Sequence, residues 1–485
     1  MATQALGAGP SGRQGRGVTS LPHTPFSLLT QLVGDEAQLG VFAPDTCLES
    51  WLAAERALAL SQADAGVIER ADADAIAGAA RSAHIDRDAL WATARTVGYP
   101  IVGLVREIGR NLPARAAGRV HFGATTQDIM DTGLALQLSA SLALLDRRLG
   151  EVGDALAEQI GRHTRTVMAA RTHAQQAVPT TFGATLATLL TQLARHRERL
   201  AQAHPRIATV SLFGAGGTSA ALGPQARRVR SGMAGLLGLY DAEVPWHVDR
   251  DGVAEFGWLC ATVTAACAKL ARNVADLSRT EIGEVSEPFV SHRGSSSTMP
   301  QKVNPISSEA IIGLSGAAGA LSSSLLRIQE AGHERAAGEW QIEWHVLPQL
   351  AVLAGSALGE TLTLVRGLRV DAARMRGNTR LEGGAIMAEA SMMRLAGTLG
   401  HDRAHALVYE AAARARRQGR VLTEVLREVA AEQHVLPLVP DPPVTVDDYL
   451  GEAVHTCARA LAGWERTPAL AAGDVPISEL AGRSR

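Results

Sequence analysis

Apolar residues recur along most of this chain at helical intervals. From Val253 they fall at Phe256, Cys260, Val263, Cys267, Leu270, Val274 and Leu277, steps of alternating length that keep one seam. Held over about seven turns, such a repeat predicts a long bundle helix. A second seam runs through Leu134, Leu138, Leu142, Leu145, Leu149, Val152 and Leu156, and a third through Phe182, Leu186, Leu189, Leu193 and Leu200. No comparable stretch alternates apolar with polar residues, so strands are at most minor. The pattern predicts an all-α fold. Helices of this length show more apolar surface than one chain covers, which predicts association of several bundles.

Breakers divide the pattern. Residues 1–22 are rich in Gly, Ser and Arg without an apolar core region, and read as a disordered tail, not a signal peptide. Helical domains are expected over 23–117 and, as the long-helix bundle, over 118–368. A smaller helical domain, 369–485, is interrupted by the Pro-rich stretch 434–443. The uncharged apolar stretch 310–326 is short for a membrane span and carries several serines, so it reads as a buried helix. FGAGGTSAALG, residues 213–223, lacks both the GxGxxG spacing and the Gly-Lys of a phosphate loop, and reads as a turn between bundle helices.

Composition removes several classes of function. A net charge of −2 and a pI near 6.7 give no sign of nucleic acid or an anionic membrane as partner. The four cysteines, Cys47, Cys260, Cys267 and Cys457, have neither CxxC spacing nor a nearby His cluster. Zinc and disulfide frameworks are therefore not expected, nor any other metal or cofactor, and a reducing cytoplasm is the simplest location.

The chemistry concentrates in residues 294–305, GSSSTMPQKVNP. Consecutive N–H groups of a Gly/Ser loop can stabilise a serine alkoxide. A bare Ser-rich linker is the alternative, but Met-Pro and Asn-Pro stiffen the segment. Only Lys269 and Lys302 are lysines among the 47 basic residues. A lysine kept in so arginine-rich a chain points to a need for a compact charge, and Lys302 with Asn304 would hold a carboxylate.

This loop resembles the G-S-S-x-M-P-x-K-x-N signature of the fumarase/aspartase superfamily, with Ser296 and Ser297 as the serine pair. HFGATTQDIMDT at 121–132 and ARTHAQQAVP at 170–179 resemble its first and second conserved regions, in the right order. The resemblance implies a homotetramer whose active sites are each built from three subunits around a small dicarboxylate. It implies that Ser296 removes a proton next to a carboxylate and that Lys302, Asn304, Thr125 and Thr126 hold carboxylates. His173, paired with Glu309, would stand near the leaving group. Gln175, Ser297, Arg335 and His121 would contact substrate, His121 being equally able to bond backbone. Arg250 could be a structural ion pair.

Within the superfamily, residues 329–348 and 250–256 resemble bacterial 3-carboxy-cis,cis-muconate cycloisomerases, whereas Ala336-Ala337-Gly338 departs from the Ser-rich segment of adenylosuccinate lyases. The cycloisomerases in turn carry tryptophan in place of His173 and lack a glutamate at the position of Glu309. The mixture resembles nitrosuccinate lyases, and the expectation is β-elimination from a C2-substituted succinate with release of fumarate and nitrite in a biosynthetic pathway. The alternatives are the cycloisomerase, an adenylosuccinate-type amine lyase and a noncatalytic structural protein.

Overall fold

The structure, a computed structural model, describes residues 27–288, 293–295, 298–299, 301–335 and 338–470. Helix α1 (Pro44–Asp64) has proline in its first turn, where no intrahelical donor is lost. It packs with α2 (Arg87–Val97) and neighbouring short helices in one apolar cluster. Helix α3 (Thr126–His163) is 38 residues long, about 57 Å of rise. A hairpin of β1 (Val167–Thr172) and β2 (Gln175–Thr181) leads into α4 (Phe182–Ile207). After α5 (Ala226–Leu237) come α6 (Asp251–Leu277), α7 (Ile306–Ser324) and α8 (Glu339–Gly367).

Helices α3, α4, α6, α7 and α8 form an up-and-down bundle whose directions are fixed by contacts at its ends. At the near end, where α3 starts, Arg250 before α6 forms ion pairs with both Asp131 of α3 and Glu343 in the first turns of α8. At the far end, Gln159 late in α3 donates to the carbonyl of Val365 late in α8 at 3.1 Å. The N–H of Phe182, first in α4, donates to Thr166 just beyond α3. Every residue of the Val253-to-Leu277 seam is buried, as are those from Leu138 to Leu156 and from Phe182 to Leu200, with Leu134 packed partly buried at the rim.

A satellite core joins α9 (His401–Gln418) to α10 (Leu422–Glu432). Helix α11 (Ala453–Glu465) returns to the bundle and seats Trp464 where a Cβ on Gly153 of α3 would lie 2.0 Å from the indole, so only glycine admits it.

Two sequence expectations need correction. The apolar stretch after residue 306 does form a helix, yet only 28% of its most apolar window is buried, against 61% for α6. Its covered stripe is Ile311, Leu314 and Ala318; Gly313, Gly316, Ala317, Gly319 and Ala320 face outward. Both helices are long and apolar enough to cross a membrane by length and composition alone. The 213–223 segment does not link two bundle helices, because α5 after it packs on α1, in the N-terminal cluster.

Candidate active site

The near end is organised by one carboxylate that the sequence reading passed over. Thr125 precedes the first residue of α3, and its N–H donates to Asp128 at 3.0 Å in a capping box. Asp128 is fully buried and also accepts from the N–H groups of Phe213 and Gly214, both at 2.9 Å, from the Ser211 hydroxyl, and from His247 Nε2 at 2.8 Å. Burial alone would push its carboxyl up; the His247 contact and the N–H donors outweigh this and hold it below the usual carboxylate range. The glycine-rich segment is thus strapped to the start of α3. Its neighbour Gln127 accepts a hydrogen bond from Arg335, which also donates to the Ala215 carbonyl at 2.8 Å. Thr125, Thr126 and Arg335 therefore share one corner, with His121 preceding it. His121 has a φ of 62° and Nδ1 2.7 Å from Oε1 of the buried Glu55. Burial pulls its imidazole down, but the Glu55 charge and hydrogen bond, aided by Asp128, leave it above its ordinary value. Sequence spacing left His121 open between substrate and backbone; the structure gives it a carboxylate partner.

At the far end the candidates are presented outward. His173 and Ala174 form the two-residue turn between β1 and β2, with φ of 49° and 62°. Positive φ at both positions is what a type I′ hairpin turn requires, and glycine or asparagine normally supplies it. Held by non-glycine residues, this costs roughly 1 kcal/mol or more at each, the kind of strain that gathers at functional sites. The hairpin is braced just short of its tip: Arg171 donates to the buried Glu284 at 3.0 and 2.5 Å, Asn378 donates to Glu284 at 2.8 Å, and Gln176 donates to the Asn378 carbonyl. His173 and Gln175 at the tip are exposed, and Gln175 donates to the neighbouring Ala174 carbonyl.

The serine loop closes at the same end. Gly294 has φ of 71° and accepts from the Asn304 N–H at 2.9 Å; a Cβ there would lie 2.5 Å from the Asn304 carbonyl. Beyond this neck, Glu287 accepts from the N–H groups of Ser307 and Ser308 at 3.1 and 2.8 Å, an anion set on the N-terminus of α7. Glu309 lies in the first turn of α7 and is exposed, as is Lys302, while Asn304 is half-buried. Ser296 and Ser297 lie outside the described residues. Among the described residues of one chain, no ion pair joins His173 to Glu309.

The two sets cannot meet within one chain. The rise of α3 separates their ends by about 57 Å, and the ten residues from Thr164 to His173 recover at most about 36 Å. Arg250, left open in the sequence, is a buried structural ion pair: it chelates Asp131 with Nη1 and Nη2 and Glu343 with Nε and Nη2. Of the residues missed, Asp128 had a signal, since Thr125 with an acid three residues on is a capping pattern. Glu55, Glu287 and His247 had none, being brought in by packing from distant segments.

Known proteins bear on this arrangement. The model of a family described as Lyase matches residues 40–318. A 3-carboxy-cis,cis-muconate cycloisomerase from Pseudomonas aeruginosa is 41% identical over 88% of this chain and 95% of its own. A nitrosuccinate lyase from Streptomyces davaonensis is 36% identical over 86% of this chain and 91% of its own. The crystal structure of a 3-carboxy-cis,cis-muconate lactonizing enzyme from Pseudomonas putida superposes with a TM-score of 0.82 at 37% identity, covering 91% of this chain and 99% of the other. The chain is an enzyme of the Lyase family, within the fumarase/aspartase superfamily.

Proposed function

We propose that this enzyme is a cycloisomerase-type lyase that interconverts an unsaturated polycarboxylate with its lactone. The carrying observation is that the Pseudomonas aeruginosa cycloisomerase, at 41% identity, leads the nitrosuccinate lyase, at 36%, over a comparable share of the chain. This reverses the order expected from the sequence. Lactone formation is β-elimination run backwards: a carboxylate oxygen bonds to one alkene carbon and a proton arrives at the next. In the elimination sense Ser296 takes that proton and the electron pair moves out with the leaving oxygen. Lys302, Asn304, Thr125 and Thr126 hold carboxylates, with Ser297, Gln175, Arg335 and His121 contacting the rest of the substrate and stabilising its developing charge.

The site would form in a homotetramer, where the near end of one copy receives the hairpin of a second and the loop of a third. The uncovered face of α7 and the separation along α3 support this assembly. Four free thiols and a near-neutral charge suit a cytoplasmic enzyme without nucleic-acid or membrane partners.

The second reading is nitrosuccinate elimination, favoured by His173 on its strained tip and by Glu309, the two residues that depart from the cycloisomerase pattern. Purified protein offered 3-carboxy-cis,cis-muconate and nitrosuccinate separately decides between them. The expected result is loss of the conjugated-diene absorbance. Turnover of nitrosuccinate alone, with nitrite and fumarate in equal amounts, would overturn the cycloisomerase reading.

A further inference from the structure

Beside the near-end residues, about one helical turn along α3 from Thr126, a cleft of ≈ 420 Å³ opens between α1, α2, α3 and the start of α8, within the range of small-molecule sites. Its walls hold four of the chain's seven tryptophans, Trp51, Trp91, Trp340 and Trp344, together with Tyr99. The rings are organised. Tyr99 stacks on Trp340 at 5.8 Å and meets Trp344 edge-on at 6.1 Å, Trp340 and Trp344 are edge-to-face at 5.0 Å, and Trp51 and Trp91 at 6.5 Å. Trp91 and Trp344 remain 43% and 42% exposed.

Asp131 and Glu343 also line the cleft, and their buried carboxylates share the single guanidinium of Arg250 behind them. Two carboxyl groups against one guanidinium leave the floor short of a cation. Burial outweighs the pull of Arg250 and leaves both carboxyls above the usual carboxylate range, so an added positive charge relieves a cost the fold already carries. Arg95 lines the cleft too, but it is exposed on α2 and its charge is open to water.

We propose that this cleft is a binding site for a small organic cation of the substituted-ammonium type, held against the ring faces with its charge toward Asp131 and Glu343. Aromatic cages recognise such cations because each ring face is negative and the alkyl groups are desolvated at low cost. The proposal does not depend on which substrate the lyase reaction takes.

Choline and its uncharged isostere 3,3-dimethylbutan-1-ol, titrated into the full-length protein with tryptophan emission as readout, test the proposal, with benzoate as the anionic control. Choline is expected to perturb the emission saturably and to bind about 5- to 30-fold more tightly than the isostere. Trp344→Ala should weaken choline by a similar factor, while Trp344→Phe keeps most of the affinity. Isostere binding equal to choline's, or tighter benzoate binding through Arg95, would overturn the assignment. So would an unchanged choline affinity in Trp344→Ala, or no response in the wild-type protein, as when a second copy covers the walls.

Discussion

The two ends of the bundle carry the same kind of chemistry in opposite forms. At the near end the polar groups are sunk into the fold: Asp128 is buried under its hydrogen bonds, His121 leans on Glu55, and Arg335 is tied to Gln127 and Ala215. At the far end His173, Gln175, Lys302 and Glu309 are held outward on a hairpin tip, a loop and a helix start, exposed. One end is a prepared receptacle and the other a set of projections. In the proposed tetramer, a group that must reach into another subunit is freed from its own, while a group that shapes a pocket is locked by its own subunit. The bracing of the strands by Arg171 and Glu284 just short of the turn fits this division, because it stiffens the support while the tip side chains stay exposed.

The sharpest way to break the comparison is to disable one end per chain. Ser296→Ala alone should lower turnover by roughly 10²–10⁴-fold, as loss of a general base does, without unfolding the protein. Arg335→Ala at the near end should also be poorly active. Mixed in equal amounts, dissociated and reassembled, the two should regain about a quarter of wild-type activity, since about one site in four draws an intact end from each of two chains. No recovery in assemblies shown by mass to contain both chains would mean that each chain completes its own site.

A smaller effect tests the locked end. Asp128→Asn keeps the shape but removes the charge that gathers the donors from Thr125, Phe213, Gly214 and His247. It should cost about 3 kcal/mol in urea unfolding, as breaking a buried charge pair does. A loss under about 0.5 kcal/mol would show that the near end is not held by this carboxylate.

The pairing of His121 with Glu55 gives a pH test. Its imidazole is raised above the usual value of about 6.5, so its contribution is complete below that pH and fades as pH climbs through the raised folded-state value. His121→Gln should therefore destabilise the protein more at pH 6 than at pH 9, read as the shift in Tm at each. An equal shift at both would remove the ion pair from the account.

The smallest effect belongs to the presented end. Ala174→Gly relieves a φ of 62° and should raise stability by about 0.5–1 kcal/mol after the extra freedom of the unfolded chain is counted. A loss of stability would show that Ala174 is held by packing the backbone angle does not reveal.

The chain's own residues were enough to specify the helices, because a repeat of three and four is a local property of spacing. The seams from Leu138 and Val253 are buried as their periodicity required. The motifs were legible for the same reason: Thr125, His173 and Lys302 sit in short runs whose residue types announce their chemistry. Sequence could not show that these runs lie at opposite ends of a rod about 57 Å long, nor that the apolar stretch of α7 would be left half uncovered. It could not find Glu55 for His121, His247 for Asp128 or Glu284 for Arg171, partners separated by 66, 119 and 113 residues. Periodicity and motif are written over one to a few turns of chain, where the backbone fixes which residues are neighbours. The partner of a buried charge is chosen by how distant segments pack, and only the tertiary structure decides that.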